Sequence, residues 1–275
     1  MSDNELDISI FNNIESIREE LAKRVGKDRK GKYVRFALAA LGGVPWVGGV
    51  ISGIGSLGGE KKQDQINLLQ QQWLAEYKEQ LYELVMMLED VCKRFDELGE
   101  QVEERIQSDE YLSLVKKAFR LWDNAETHEK RGYIKNLITN SAATELCPDD
   151  LIRLFMDWID KYHEAHFKVI REIYQNPGIG RGEIWDNIAN ERPREDSAEA
   201  DLYKLLIRDL STGGVIRQHR PTNAYGQYIK KSSGGRKSSS GVMKSAFDNS
   251  EPYELTELGS QFVHYTMNEV VRRLE

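Results

Sequence analysis

Apolar residues recur along most of this chain at spacings of three and four, the period of one face of an α-helix. Leu6, Ile10, Ile14, Ile17 and Leu21 form such a stripe and predict a short amphipathic helix over about 6–25. A longer series runs from Ile66 through Leu69, Trp73, Tyr77, Leu81, Leu84, Leu88, Val91, Phe95, Leu98, Val102 and Ile106. With Glu, Lys, Gln and Arg between them, these positions predict one long helix over about 61–107, with an apolar seam that requires helical neighbours. Ser108 is placed to cap the next helix, which carries Leu112, Val115, Phe119 and Trp122. Another is expected over about 127–143 with Tyr133, Ile134, Leu137 and Ile138 inside. Pro148 opens a further one carrying Leu151, Leu154, Phe155, Trp158 and Ile159.

One stretch breaks this pattern. From Phe36 to Gly59 the chain reads FALAALGGVPWVGGVISGIGSLGG and has no charge at all, directly after Lys23, Arg24, Lys27, Arg29, Lys30, Lys32 and Arg35. Its length matches the roughly 20 residues of a membrane-spanning helix. Its eight glycines and Pro45 disfavour a helix in water and are better tolerated in lipid. Gly49 with Gly53, and Gly55 with Gly59, would let helix backbones approach closely; a hairpin turning near 42–45 is equally compatible. Two uses follow. The segment either contacts a membrane on activation, through Phe36, Leu38, Leu41, Val44, Trp46, Val47, Val50, Ile51, Ile54 and Leu57, or is buried against the long helix.

After about residue 160 the rhythm changes. A helix (HFKVIREIYQ) stops at Asn176-Pro177-Gly178, and a short one follows with Ile184, Trp185 and Ile188 together. Asp196 and Glu199 have capping-box spacing before a third helix, whose Leu202, Leu205, Leu206 and Leu210 are expected to face a core and whose Asp201, Lys204 and Arg208 are expected outside. Gly213-Gly214 ends it, and a strand begins at Val215-Ile216-Arg217. A Ser/Gly/Lys-rich run extends to Asn249 before a second strand, Tyr253 to Thr256, and a closing helix. The expected fold class is therefore mainly α: a helical domain over 1–160, and a second domain over 161–275 with a small hairpin.

GGVIRQ and YELTELGSQFV, in this order of elements, resemble the strand-wing-strand ending of bacterial winged-helix regulators such as the MarR-like and PadR-like proteins. The resemblance covers about 163–270 and implies a winged helix that binds nucleic acid or protein. Under a nucleic-acid role the contacts would be Arg217, Arg220, Lys230, Lys231, Arg236, Lys237 and Lys244 of the wing, with Lys204 and Arg208 of the third helix. The third helix also carries Asp201 and Glu199, which repel phosphate. The first 160 residues resemble no securely identified family; their likeness to helical membrane-active bacterial proteins is architectural.

Composition narrows these choices. A net charge of −7 and a pI near 5.5 exclude a general polycation. Two isolated cysteines, Cys92 and Cys147, form no disulfide framework, and the acidic, polar start MSDNELDISIFNN lacks the form of a secretory signal; both fit a cytoplasmic protein, with recruitment to the inner membrane under the membrane-active alternative. His163 and His166 stand a turn apart near Asp160, a spacing that usually marks polar-face residues and not a metal site. The glycine run lacks the Lys-Ser/Thr ending of a phosphate-binding loop. No cofactor and no catalytic constellation is expected. Two functions remain: a non-enzymatic sensor or adaptor that contacts nucleic acid or protein and self-associates through its helices, or a membrane-active effector of the toxin or antiphage kind.

Overall fold

The computed structural model describes residues 33–46, 78–144, 147–189, 191–220, 223–225, 227, 229, 245–249 and 252–267. The expected helix over 6–25, the stretches 47–59 and 61–77, and most of the basic loop lie outside them. The described residues are mainly helical, with ten α-helices and one two-stranded antiparallel sheet. Contacts divide the chain into two units, 1–160 with 265–275, and 161–264.

In the first unit, α1 (Val34–Gly43) packs on α4 (Asp109–Asn124). The close approach depends on Gly43, where a Cβ would stand 2.4 Å from the Lys116 carbonyl oxygen. Phe36 meets Phe95 and Phe119 edge-on at 5.3 and 6.2 Å, so α1 lies over α2 (Lys78–Leu98) as well. The single helix expected to reach residue 107 is interrupted. Gly99 adopts φ +76°, a 3-10 turn covers Gly99–Val102, and α3 (Glu103–Gln107) is a separate short helix. Only glycine enters the left-handed region cheaply, so the chain leaves α2 there while Val102 and Ile106 stay buried.

Local caps define the following helices. Ser108 Oγ accepts the Tyr111 N–H at 3.3 Å to open α4, and Thr127 Oγ1 accepts that of Lys130 at 3.3 Å to open α5 (His128–Ala143). α6 (Asp149–Lys161) starts just after Pro148, whose carbonyl accepts the Leu151 N–H at 2.9 Å. Around this core the ion pairs are matched and partly covered: Arg105 with Asp149, Arg131 with Glu83, and Lys135 with Asp90. The Arg131 guanidinium also lies 5.0 Å from the Trp122 ring centroid.

In the second unit the order is α7 (Glu164–Gln175), α8 (Arg181–Ile188), α9 (Ala198–Thr212), β1 (Ile216–Gln218), β2 (Tyr253–Leu255) and α10 (Glu257–Thr266), whose last two residues, Tyr265 and Thr266, belong to the first unit. The strands pair antiparallel with Ile216 opposite Leu255 and Arg217 opposite Glu254. α9 is capped by Ser197, whose Oγ accepts the Ala200 N–H at 3.2 Å. The expected Asp196–Glu199 capping pair does not form: Ser197 takes the N-cap, and Asp196 pairs with Arg194 at 2.9 Å.

Candidate functional site

The stretch that brings the chain back to β2 is firmly seated. Phe247 stacks on Tyr203 of α9 with ring centroids 5.4 Å apart, and Trp185 of α8 meets Tyr203 at 5.1 Å. Asn249 Oδ1 accepts the N–H groups of Gly182 and Glu183 at 2.7 and 3.2 Å, satisfying donors that the start of α8 leaves open. Ser245 donates its hydroxyl to Glu195, which also accepts the Ala246 N–H at 3.2 Å. Glycine at 180 and 182 makes room, since a Cβ there would stand 2.4 Å from Asn249 Oδ1 or 2.6 Å from the Phe247 carbonyl oxygen.

This aromatic cluster sets the rotation of α9. Ala200, Tyr203, Leu206, Ile207 and Leu210 point inward. Leu206 and Leu210 are therefore buried as expected, whereas Leu202 and Leu205 are not: they are 48% and 38% exposed. Helical spacing puts Asp201, Leu202, Leu205, Arg208 and Thr212 in one outward stripe, with Asp209 at its edge. Sequence reasoning missed this face. Its signal was a surplus: six apolar residues within 202–210 are more than one core-facing half of a helix can hold.

Several described cations of this unit pair with carboxylates. Arg217 donates to Glu254 Oε1 across the strand pair at 2.7 Å, and His219 Nδ1 lies 2.6 Å from the other oxygen. Burial acts to raise the Glu254 carboxyl, but the hydrogen bonds from His219 and Arg217 outweigh it and hold it below its usual range. Lys204 donates to Asp201 at 3.1 Å and to the Glu195 carbonyl at 3.0 Å; Arg192 forms a two-point pair with Asp186. Arg208 is exposed, with its Nε 3.8 Å from Asp209 Oδ1. Arg220 is exposed at the end of the strand. Lys230, Lys231, Arg236, Lys237 and Lys244 lie outside the described residues.

Behind α9 stands a buried histidine. His166 Nδ1 accepts the His163 backbone N–H at 3.2 Å, and its Nε2 faces Asp209 Oδ2 at 3.9 Å. Burial pushes the imidazole below its ordinary range, which the Asp209 carboxylate opposes. Among the described residues no three His, Cys, Asp or Glu side chains converge as metal ligands.

In the first unit, one face of the described part of the uncharged stretch is core. Phe36, Leu41 and Val44 are at most 1% exposed, and Leu38 is 46% exposed on the outer side of α1. Trp46 is half-buried and donates its indole N–H to Asp123. Val47, Val50, Ile51, Ile54 and Leu57 lie outside the described residues. No helix among the described residues is long and apolar enough to cross a membrane.

Compared with family models, with characterised proteins and with solved structures, the chain matches none.

Proposed function

We propose that this chain is a non-enzymatic binding protein whose C-terminal unit is a winged helix, and that α9 docks a protein partner rather than reading a nucleic-acid groove. One observation carries this: Leu202 and Leu205 stand exposed side by side at the centre of the outward stripe of the third helix. In a DNA-binding module that position holds groups that hydrogen-bond base edges. Here it offers two apolar side chains, with Asp201 and Asp209 close by. An aliphatic pair flanked by charge suits the apolar ridge of a partner helix or strand. The carboxylates on Lys204, Arg217 and His219 further weaken attraction to phosphate.

A membrane-active effector would first have to take buried side chains of α1 out of the first unit's core. Withdrawing Phe36, Leu41 and Val44 from the core costs about 1.5–3 kcal/mol for each large side chain before any insertion begins.

A photo-cross-linking residue at position 205, in full-length protein made in its own cells, tests the docking role. A discrete protein adduct that Leu202→Glu abolishes supports it. Salt-sensitive binding to a random DNA duplex, lost in Arg236→Glu/Lys237→Glu and indifferent to Leu202→Glu, would sink it.

A further inference from the structure

His166 occupies the first turn of α7 and is only 5% exposed, its ring 5.0 Å from that of Tyr162. Because Nδ1 accepts the His163 N–H, the proton of the neutral ring sits on Nε2. That Nε2 is buried without a hydrogen-bond partner among the described residues, and faces Asp209 Oδ2 at 3.9 Å. Asp209 stands one helical turn beyond Leu205, and its other oxygen lies 3.8 Å from Arg208 Nε. The carboxylate is thus shared between a buried imidazole and an arginine on the exposed stripe. The other titratable groups around the ring are His163, Lys161 and Tyr162, none of which can balance an added positive charge there.

We propose that His166 is a proton-operated control on the α9 docking face, an inference that rests on the docking function above. A proton arriving from solvent at Nδ1 removes the acceptor of the His163 N–H. It also places an imidazolium inside the positive end of α7, where the helix dipole opposes it. Asp209 is the carboxylate placed to compensate. It turns from Arg208 toward His166, and the charge of His166, Asp209 and Arg208 together rises from zero to plus one. Arg208 is then released at the end of the leucine stripe. Acid accordingly favours a partner whose apolar ridge ends in a carboxylate.

Nuclear magnetic resonance on the full chain, labelled at histidine, arginine and aspartate, tests this without any partner. Near neutral pH, His166 is expected as the Nε2–H tautomer. As it titrates, the His163 amide should exchange about fivefold faster after correction for intrinsic chemistry, the scale of one lost cap. The Asp209 carboxyl carbon and the Arg208 Nε signal should shift with the same midpoint. His166→Gln keeps a side-chain acceptor for the His163 N–H and carries no proton, so both the amide rate and the Arg208 signal should become flat. In Asp209→Asn the His166 midpoint should fall further and Arg208 should cease to respond. An Nδ1–H tautomer, or responses of equal size in His166→Gln, overturns the proposal. Leu202→Ser/Leu205→Ser tests docking without adding a charge beside Arg208 and Asp209 and leaves these titrations in place, so the two claims fail separately.

Discussion

Asn140, buried in α5, donates its side-chain N–H to the backbone carbonyl of Tyr265 at 3.0 Å. One turn earlier Asn136 does the same to the Thr266 carbonyl at 2.9 Å. These are the open acceptors at the end of α10, and two amides supply the donors that the helix itself lacks. The Tyr265 hydroxyl lies 2.8 Å from Thr144 Oγ1 and accepts the Cys147 N–H at 3.2 Å. Tyr265 is thus held at both its backbone and its hydroxyl.

Asn140→Leu should therefore destabilise the protein by about 1–3 kcal/mol, because it strands a buried carbonyl. Urea unfolding of the full chain, followed by circular dichroism, measures it. Tyr265→Phe should cost less, about 1 kcal/mol, since it keeps the ring against Phe155 and loses only the hydroxyl bonds.

Gly43→Ala should loosen α1. The added methyl meets the Lys116 backbone, which cannot rotate away as a side chain could. A loss of about 1–3 kcal/mol is expected, with raised hydrogen exchange over residues 34–43. Gly42→Ala is the control, because nothing lies within 4 Å of its added carbon.

Asn249→Ala should cost about 1 kcal/mol by removing the cap on α8. Faster exchange at the Gly182 and Glu183 amides would locate the loss there. An unchanged rate at both would show that Asn249 does not cap this helix.

His166 gives stability a pH dependence of known sign. Burial lowers its pKa in the folded state, so below about 6.5 the unfolded chain binds the extra proton. Its contribution is full above that pH and is lost as pH falls toward the folded pKa. Denaturant midpoints at pH 7.5 and 5.5 should fall further apart in the wild type than in His166→Gln.

Leu202→Glu/Leu205→Glu should leave the unfolding free energy within about 0.5 kcal/mol of wild type, the range for exposed substitutions. A large loss would mean that both leucines are buried in solution, and would remove the docking face.

What the sequence settles by itself is local. The three-and-four spacing reveals a mainly helical protein, and Ser108, Thr127 and Gly213-Gly214 mark helix limits through bonds that span only a few residues. A break such as Gly99 is harder to see, because apolar spacing continues through Val102 and Ile106 on either side of a change in backbone direction. The rotation of α9 lay beyond sequence reasoning. Both halves of that helix are apolar enough to be core, and the choice fell to Tyr203 because Trp185 and Phe247, distant in sequence, enclose it. The same holds for the charges: Arg217 reads as a phosphate contact until strand pairing sets Glu254 opposite it. Periodicity and caps depend on neighbours along the chain, so they can be read from order alone. Which apolar face is covered, and which charge is answered, depends on neighbours in space, and only the folded chain supplies those.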